Sequence, residues 1–374
     1  MRVLYSLGAK FAGPGIGTTA YHGVKGLYEQ GMLQQVLCGS FLPSDIPPSR
    51  IKALGLPSRG LRKLATFDPS GVLSYLHSVF YDLWASRYVK EADLLHVWGN
   101  DGLLSLRRAK ERGMITVVQR ASTHPRYQAE LFREEYARWG VRFRLPEANL
   151  QRADAEVALA DYVLIPSDFV RQTFLERGVD ERKLLLLPFG VDVERFHPPS
   201  DLDQTERPFR VLFVGQISIR KGIPYLLEAW RLLRWDDAEL WLLGRMVVNF
   251  PRRLLQLPGV RIFSFVPDPV PFYQKADLFA FPSLEEGSAL VTYEALACGL
   301  PVVTTPQAGS VVRDGQEGFI VPIRDSIALA ERLDALRRDR ELRQRMASRA
   351  RQRALGFTWV RHGEQLASLY ASLG

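Results

Sequence analysis

A twofold alternation of short apolar runs with amphipathic stretches, broken once near the middle, constrains the fold of this chain more than any other feature. In the first half, Val3–Leu7, Gln35–Cys38, Leu94–Trp98, Ile115–Gln119, Tyr162–Ile165 and Leu184–Leu187 read as strands. Helical stretches separate them, from about Thr18 to Gln30 and then at Val72–Glu91, Leu103–Arg112, Tyr127–Arg138, Ala153–Leu159 and Asp168–Gly178. Such alternation predicts a parallel sheet covered by helices on both faces. A Pro- and Asp-rich break from Pro188 to Pro208 reads as a linker. The alternation then restarts, with strands at Phe209–Val214, Glu239–Leu243, Val260–Phe265, Leu278–Phe281, Val302–Thr304 and Gly318–Val321. Helices fall near Pro224–Leu233, Pro271–Ala276, Ala289–Cys298 and Ser326–Arg337, and the tail Glu341–Leu373 is helical. A chain of 374 residues is too long for one ordinary core. Two Rossmann-like domains are expected, 1–190 and 208–355, with 191–207 as linker and a terminal helix at 356–374.

Composition narrows the setting. With 47% hydrophobic residues the chain is globular, and no run is long enough to cross a bilayer. Met1-Arg2-Val3-Leu4-Tyr5-Ser6 enters a strand directly, without the apolar core of a signal peptide, so a cytoplasmic protein is expected. Cys38 and Cys298 stand far apart and lack metal-ligand spacing, which argues against a disulfide scaffold or a structural zinc site. A net charge of +8 favours anionic partners without choosing among nucleotides, acidic lipid and polyanions.

The densest chemistry lies in Pro282 to Pro301, which reads as strand end, tight loop, helix and helix stop. Ser288 is placed to cap the helix, and Gly299 followed by Pro301 ends it. Glu294 has Leu290, Val291, Ala297 and Cys298 as its helical neighbours, so its carboxylate falls on the apolar face. A carboxylate there must be neutralised, paired or hydrogen-bonded. Glu286 sits eight residues earlier, in the loop. Two acceptors for hydroxyls thus flank a helix N-terminus, whose free N–H groups favour an anion. That combination describes a pocket for a sugar nucleotide.

The run Glu286-Gly287-Ser288-Ala289-Leu290-Val291-Thr292-Tyr293-Glu294-Ala295-Leu296-Ala297-Cys298-Gly299-Leu300-Pro301 resembles the E-x7-E signature of the large GT4 family of retaining glycosyltransferases. Ser288-Ala289 replaces the usual Phe-Gly. The loop Val214-Gly215-Gln216-Ile217-Ser218-Ile219-Arg220-Lys221-Gly222 is similar to the family's V-G-R-x-x-x-x-K-G, whose Arg and Lys hold the donor diphosphate. Lys221 matches; Gln216 stands at the Arg position, and the neighbouring Arg220 is the residue that could replace the charge. Fixed cations there would stabilise a departing nucleoside diphosphate.

Between the first strand and helix, Gly13-Pro14-Gly15-Ile16-Gly17-Thr18 resembles the family's G-I-G loop, with Gly15 and Gly17 as donor-side candidates. The dinucleotide fingerprint matches only in part, and no acidic residue closes strand two. Many family members carry a His near the donor sugar. Here His124 is favoured, and Arg120 occupies the strand-end position. Ala160–Ser167, Pro188–Phe196 and Arg313–Pro322 resemble structural landmarks of the family, so the similarity covers nearly the whole chain.

The resemblance implies a GT-B fold, with the two parallel sheets facing a central cleft, acceptor side first and donor side second. It implies transfer of a sugar from a UDP-, GDP- or ADP-sugar to an acceptor hydroxyl with retention, in cell-surface polysaccharide or glycolipid synthesis. Glu286 would support the donor sugar, Glu294 the ribose, and Lys221 with Arg220 and the amides of Ser288, Ala289 and Leu290 the diphosphate. The terminal helix is expected to cross back to the first domain. No metal is expected: Asp201-Leu202-Asp203 lies in the linker and reads as chance. An epimerase or phosphorylase on the same scaffold, or a non-catalytic nucleotide-sugar-binding subunit, are the alternatives.

Outside these motifs, Ser49 to Phe67 mixes Arg50, Lys52, Arg59, Arg62 and Lys63 with apolar residues. Such a segment can lie on anionic lipid at the inner face of the membrane, grip an acceptor, or be a solvated basic edge. The Arg-rich stretch Arg337–Arg353 reads as a solvated face. Nucleic-acid binding is not expected, because no motif interleaves these charges with stacking aromatics.

Overall fold

The computed structural model describes residues 1–65, 68, 71–141, 143–200, 207–247 and 255–374. Contacts divide the chain into two compact units, one of residues 1–137, 142–189 and 359–374, the other of 138–141 and 190–358.

In the first unit the order is β1 (Val3–Phe11), α1 (Ile16–Glu29), β2 (Leu33–Phe41), β3 (Ile51–Ala53), α2 (Leu56–Ala65), α3 (Val72–Ala85), β4 (Leu94–Trp98), α4 (Leu103–Glu111), β5 (Ile115–Gln119), α5 (Pro125–Arg138), α6 (Glu147–Leu159), β6 (Tyr162–Ile165), α7 (Asp168–Leu175) and β7 (Leu184–Leu186). The strands form one sheet, ordered β3-β2-β1-β4-β5-β6-β7, and every pairing is parallel. The period of two along β1 splits its side chains between two cores. Val3, Tyr5 and Leu7 join one cluster with Ala20, Val24 and Leu366, while Leu4 joins the other with Tyr81, Leu106 and Phe174.

In the second unit the order is β8 (Phe209–Val214), α8 (Ile223–Leu233), β9 (Ala238–Leu243), β10 (Val260–Phe263), α9 (Val270–Lys275), β11 (Leu278–Phe281), α10 (Leu290–Ala297), β12 (Val302–Thr304), β13 (Gly318–Ile320), α11 (Ser326–Arg338) and α12 (Arg340–Leu355). Its sheet runs β10-β9-β8-β11-β12-β13, again all parallel. The Pro-rich segment is bound into this unit: Arg351 Nη1 donates to the carbonyls of Val193 (3.1 Å), Phe196 (2.9 Å) and Ala297 (2.9 Å). Asp201, Leu202 and Asp203 lie outside the described residues.

The tail is two helices, not one. After α12 the chain forms α13 (Trp359–Ala371), which packs on α1 in the first unit. Two glycines make that contact close: a Cβ on Gly26 would come within 2.3 Å of the Gly363 Cα. The Trp359 and His22 rings stack at 4.4 Å beside it. Within the basic segment that begins at Ser49 the chain forms two elements, β3 and α2.

Candidate active site

Strand order decides where ligands can enter an open parallel sheet. In the second unit β8 and β11 are neighbours, and the sheet continues outward from them in opposite directions. Crevices form beyond the carboxyl ends of strands at such a switch point. The loop leaving β8 carries Arg220 and Lys221, and the loop leaving β11 carries Glu285 and Glu286. The two loops are stitched together, since the Leu284 N–H donates to the Arg220 carbonyl at 2.9 Å. Only glycine allows this approach, because a Cβ on Gly222 (φ +70) would sit 1.8 Å from the Pro282 carbonyl oxygen.

Four charges meet there. Glu285 is wholly buried and takes both Nε (3.1 Å) and Nη2 (3.0 Å) of Arg220 on one carboxylate oxygen. Arg220 Nη2 also lies 3.5 Å from Glu286 Oε1, the atom to which the Lys221 ammonium donates. The Lys221 ammonium stands 5.4 Å from the centre of the Phe281 ring. Burial, and next the charge of Arg220, push Lys221 well below the usual lysine range, with Glu285 opposing. Sequence reasoning brought Arg220, Lys221 and Glu286 to this site but missed Glu285. Nothing in its local pattern distinguishes it from a solvated loop acid.

The start of α10 differs from the expectation in two ways. Ser288 does not cap the helix: Ala289 is the cap residue, and no side chain bonds the free amides. The Ser288 hydroxyl instead bonds the Tyr293 hydroxyl (2.7 Å) and donates to the Gly309 carbonyl (2.8 Å). Nor are all three expected amides open, since the Ala289 N–H donates to the Ala308 carbonyl at 3.0 Å. The N–H groups of Ser288, Leu290 and Val291 have no partner among the described residues. Gly287, buried, lies between them and Glu286.

On α10 the Glu294 carboxylate accepts a 2.7 Å hydrogen bond from the Tyr273 hydroxyl. No cation lies within ion-pair distance of it among the described residues. Burial raises its carboxyl, with the Tyr273 bond and the charge of Arg195 pulling the other way. Its second oxygen has no donor among the described residues.

In the first unit, the glycines after β1 separate into different roles. Gly17 is buried against the chain, where a Cβ would fall 2.1 Å from the Lys10 carbonyl oxygen. Gly15 (φ +74) precedes α1 in open space. His124 is buried between α6 and α7: its Nε2 is 3.9 Å from Asp154, its ring edge meets Phe174 at 5.0 Å, and its Nδ1 accepts the Arg126 N–H at 3.3 Å. Burial lowers its pKa to about 4. Arg120, at the end of β5, donates to the Asn100 side-chain oxygen at 3.3 Å.

A buried polar network at the ends of β1 and β4 was not foreseen. Asp101 accepts the Gly8 N–H (3.1 Å) and the Ser78 hydroxyl (2.8 Å). Glu156 accepts the N–H groups of Asn100 (2.5 Å) and Gly102 (3.0 Å). Burial raises Asp101 to about 6 and Glu156 to about 7. Asp82, bonded to the Leu104 and Ser105 amides at the start of α4, is paired with Arg152. Its only sequence signal was charged residues at apolar helix positions.

Comparison with known proteins bears on the family and the fold. Residues 208–339 match the family described as "Glycosyl transferases group 1". A D-inositol 3-phosphate glycosyltransferase from Geodermatophilus obscurus is 33% identical over 257 residues, 61% of this chain and 56% of that protein. The capsular polysaccharide biosynthesis glycosyltransferase CapM of Staphylococcus aureus is 28% identical over 56% of this chain and 61% of its own length. The chain thus spans little more than half the length of several curated relatives it matches. The fold is shared with Anabaena HepE, whose structure holds UDP-glucose, at a TM-score of 0.70 and 17% identity over 100% of both chains. A further D-inositol 3-phosphate glycosyltransferase, from Salinispora arenicola, is 31% identical over 76% of this chain and 70% of that protein. With the GT-B fold of two parallel α/β units and this extent of identity, the chain belongs to the group 1 glycosyltransferase family.

Proposed function

We propose that the second unit binds a nucleotide-sugar and that the protein transfers its sugar, with retention, to an acceptor hydroxyl as GT4 enzymes do. One observation carries this reading: Lys221 and Arg220 converge on Glu286 beside the open amides of Ser288 and Leu290. In the free protein Glu286 takes the place of an anion between two cations. A diphosphate entering there exchanges that carboxylate for its own oxygens, and Glu286 is released toward the donor sugar. Arg220 supplies the cation that Gln216 does not, because Glu285 holds its guanidinium in the site. Glu294 offers its open oxygen to the ribose diol. Cations fixed before reaction stabilise the charge that grows on the leaving diphosphate. The diphosphate oxygen can itself accept the acceptor proton, so no strong protein base is needed.

The acceptor is assigned to the first unit, where Gly15, ahead of α1, and Arg120, at the end of β5, remain the candidates for the donor side. His124 is retained as a candidate only through its neutral ring, which is turned toward Asp154. The acceptor is taken to be a glycan or glycolipid on the cytoplasmic side; the role of CapM in capsular polysaccharide biosynthesis supports the polysaccharide part of this reading. UDP is the first diphosphate to test, since HepE binds UDP-glucose.

Calorimetric titration of UDP, GDP and ADP in EDTA tests the donor site. One diphosphate should bind to wild type. Lys221→Ala should weaken it about 10- to 100-fold, the worth of one charge-assisted hydrogen bond, and Glu294→Ala should weaken it as well. Binding to none of the three, or undiminished binding to both variants, rejects this site. Turnover that survives Glu286→Ala would reject the role given to Glu286.

A further inference from the structure

We infer that the face made by α2 and α3 on the first unit rests on the surface of an anionic lipid bilayer. The inference does not depend on the donor site.

Along α3, Val72, Leu76, Phe80 and Leu83 are 46%, 48%, 44% and 50% exposed. At about 100° per residue these four positions fall within an arc of about 80°. The opposite side of α3 is the one that packs, with His77, Ser78, Tyr81, Asp82 and Ala85 buried. The apolar stripe is therefore in addition to the core-facing side. Single exposed apolar residues are ordinary, but a full helical stripe marks a surface that is covered in use. Its neighbour α2 adds two exposed leucines, Leu56 at 79% and Leu64 at 59%. The helices are joined as one body by a buried 2.9 Å hydrogen bond between Ser58 and His77.

Charge identifies what covers this face. Residues 50–91 carry Arg50, Lys52, Arg59, Arg62, Lys63, Arg87 and Lys90 against Asp68, Asp82 and Glu91, seven cations to three acids. Arg62 also donates to the backbone carbonyl of Gly8, and Arg50 to those of Leu33 and Gln34. Asp82 is buried against Arg152, so it offsets none of the surface charge. Arg59 and Arg87 have no carboxylate within ion-pair distance among the described residues. Such an excess repels a second copy of the same face, where like patches would meet across a two-fold axis. It suits a surface with phosphates at one depth and hydrocarbon just beneath. Apolar side chains enter at the headgroup boundary while lysines and arginines stay with the phosphates. No helix among the described residues is long and apolar enough to cross a membrane, so the contact is peripheral.

Co-sedimentation of the full chain with vesicles tests this. The protein should pellet with an equimolar phosphatidylcholine–phosphatidylglycerol mixture, remain in solution with phosphatidylcholine alone, and be released by salt. Leu76→Ser with Phe80→Ser, and separately Arg59→Glu with Lys63→Glu, should each weaken partitioning roughly tenfold or more. These are surface positions, so thermal midpoints should stay near wild type. Reversing two arginines elsewhere, Arg338→Glu with Arg345→Glu, should change partitioning little. No pelleting with the anionic mixture at low salt overturns the inference, as does equal loss from the remote pair, which would mean net charge alone. A wild-type dimer that Leu76→Ser with Phe80→Ser turns into monomer would assign the stripe to a second copy instead.

Discussion

Arg220 and Glu285 stand 65 residues apart and meet through two nitrogens on one carboxylate oxygen, at 3.0 and 3.1 Å. Glu285 is wholly buried, whereas Arg220 keeps partial access to solvent. Removing the cation leaves a carboxylate stranded in the interior, the costly way to break such a pair. Arg220→Ala should therefore destabilise the second unit by about 3 kcal/mol. Adding Glu285→Gln should recover most of that loss, because the stranded charge is gone. Urea unfolding of the single and double variants measures the coupling. Losses that simply add would mean that the pair contributes no interaction.

That pair also shows where sequence reading stops. The strands β4, β5, β6, β8, β11 and β12 were legible to the residue, because buried parallel strands are short apolar runs bounded by turn residues. The element α2 was not: Leu56–Ala65 contains Pro57 and Gly60, and two of its leucines, Leu56 and Leu64, are exposed. In the site, Glu286 and Glu294 stand out by their spacing across one loop and one helix, and Lys221 by the resemblance of its own loop to a family motif. Glu285 could not, since its importance comes from a partner on another loop. Ser288 has the chemistry of a cap, but the Tyr293 hydroxyl and the Gly309 carbonyl claim its hydroxyl. Local chemistry lists what a side chain can do, and packing selects which of these it does.

Acid should destabilise the first unit well above the carboxylate range. Burial lowers His77, His124 and His362 to about 4 and His96 to about 3, so all four are neutral in the folded protein. Unfolded, each takes up a proton near its ordinary value of about 6.5. Stability from these groups is present above that value and is lost as pH falls toward 4. The raised carboxyls of Asp101 and Glu156 act oppositely, stabilising below their unfolded values and losing that contribution as pH rises to about 6 and 7. Four groups outweigh two, and stability should fall from pH 6.5 to 5 with a slope of roughly 1–3 kcal/mol per pH unit. His124→Asn should reduce the slope by about 1 kcal/mol per unit. A flat profile across that window would show that the histidines are not held neutral.

Glycines on two helices of the first unit should respond in opposite directions. A methyl group on Gly26 would overlap the backbone of Gly363, whereas one on Gly60 meets nothing within 4 Å. Gly26→Ala is expected to part α1 from α13 and cost about 2–3 kcal/mol, the upper part of the usual range for overpacking. Gly60→Ala should stabilise by about 0.5–1 kcal/mol, since alanine loses less entropy on entering a helix. Thermal unfolding of the two variants reads the contrast. If Gly26→Ala were neutral, the close crossing of the two helices would be wrong.

The Tyr273 hydroxyl, 2.7 Å from Glu294, should shape donor binding without taking part in chemistry. Its hydrogen bond favours the ionised carboxylate, against the burial that raises the group. Tyr273→Phe keeps the ring in the core and removes only that donor. Glu294 then holds its proton to higher pH and presents a weaker acceptor to the ribose hydroxyls. The donor KM should rise several-fold, with a larger rise at low pH than at high pH, and kcat should change little because the interaction is made equally in ground and transition states. Stability should fall by about 1 kcal/mol, the net worth of one buried hydrogen bond. A fall in kcat at constant KM would instead place Tyr273 in the transition state. An unchanged KM across the pH range would remove Glu294 from donor binding.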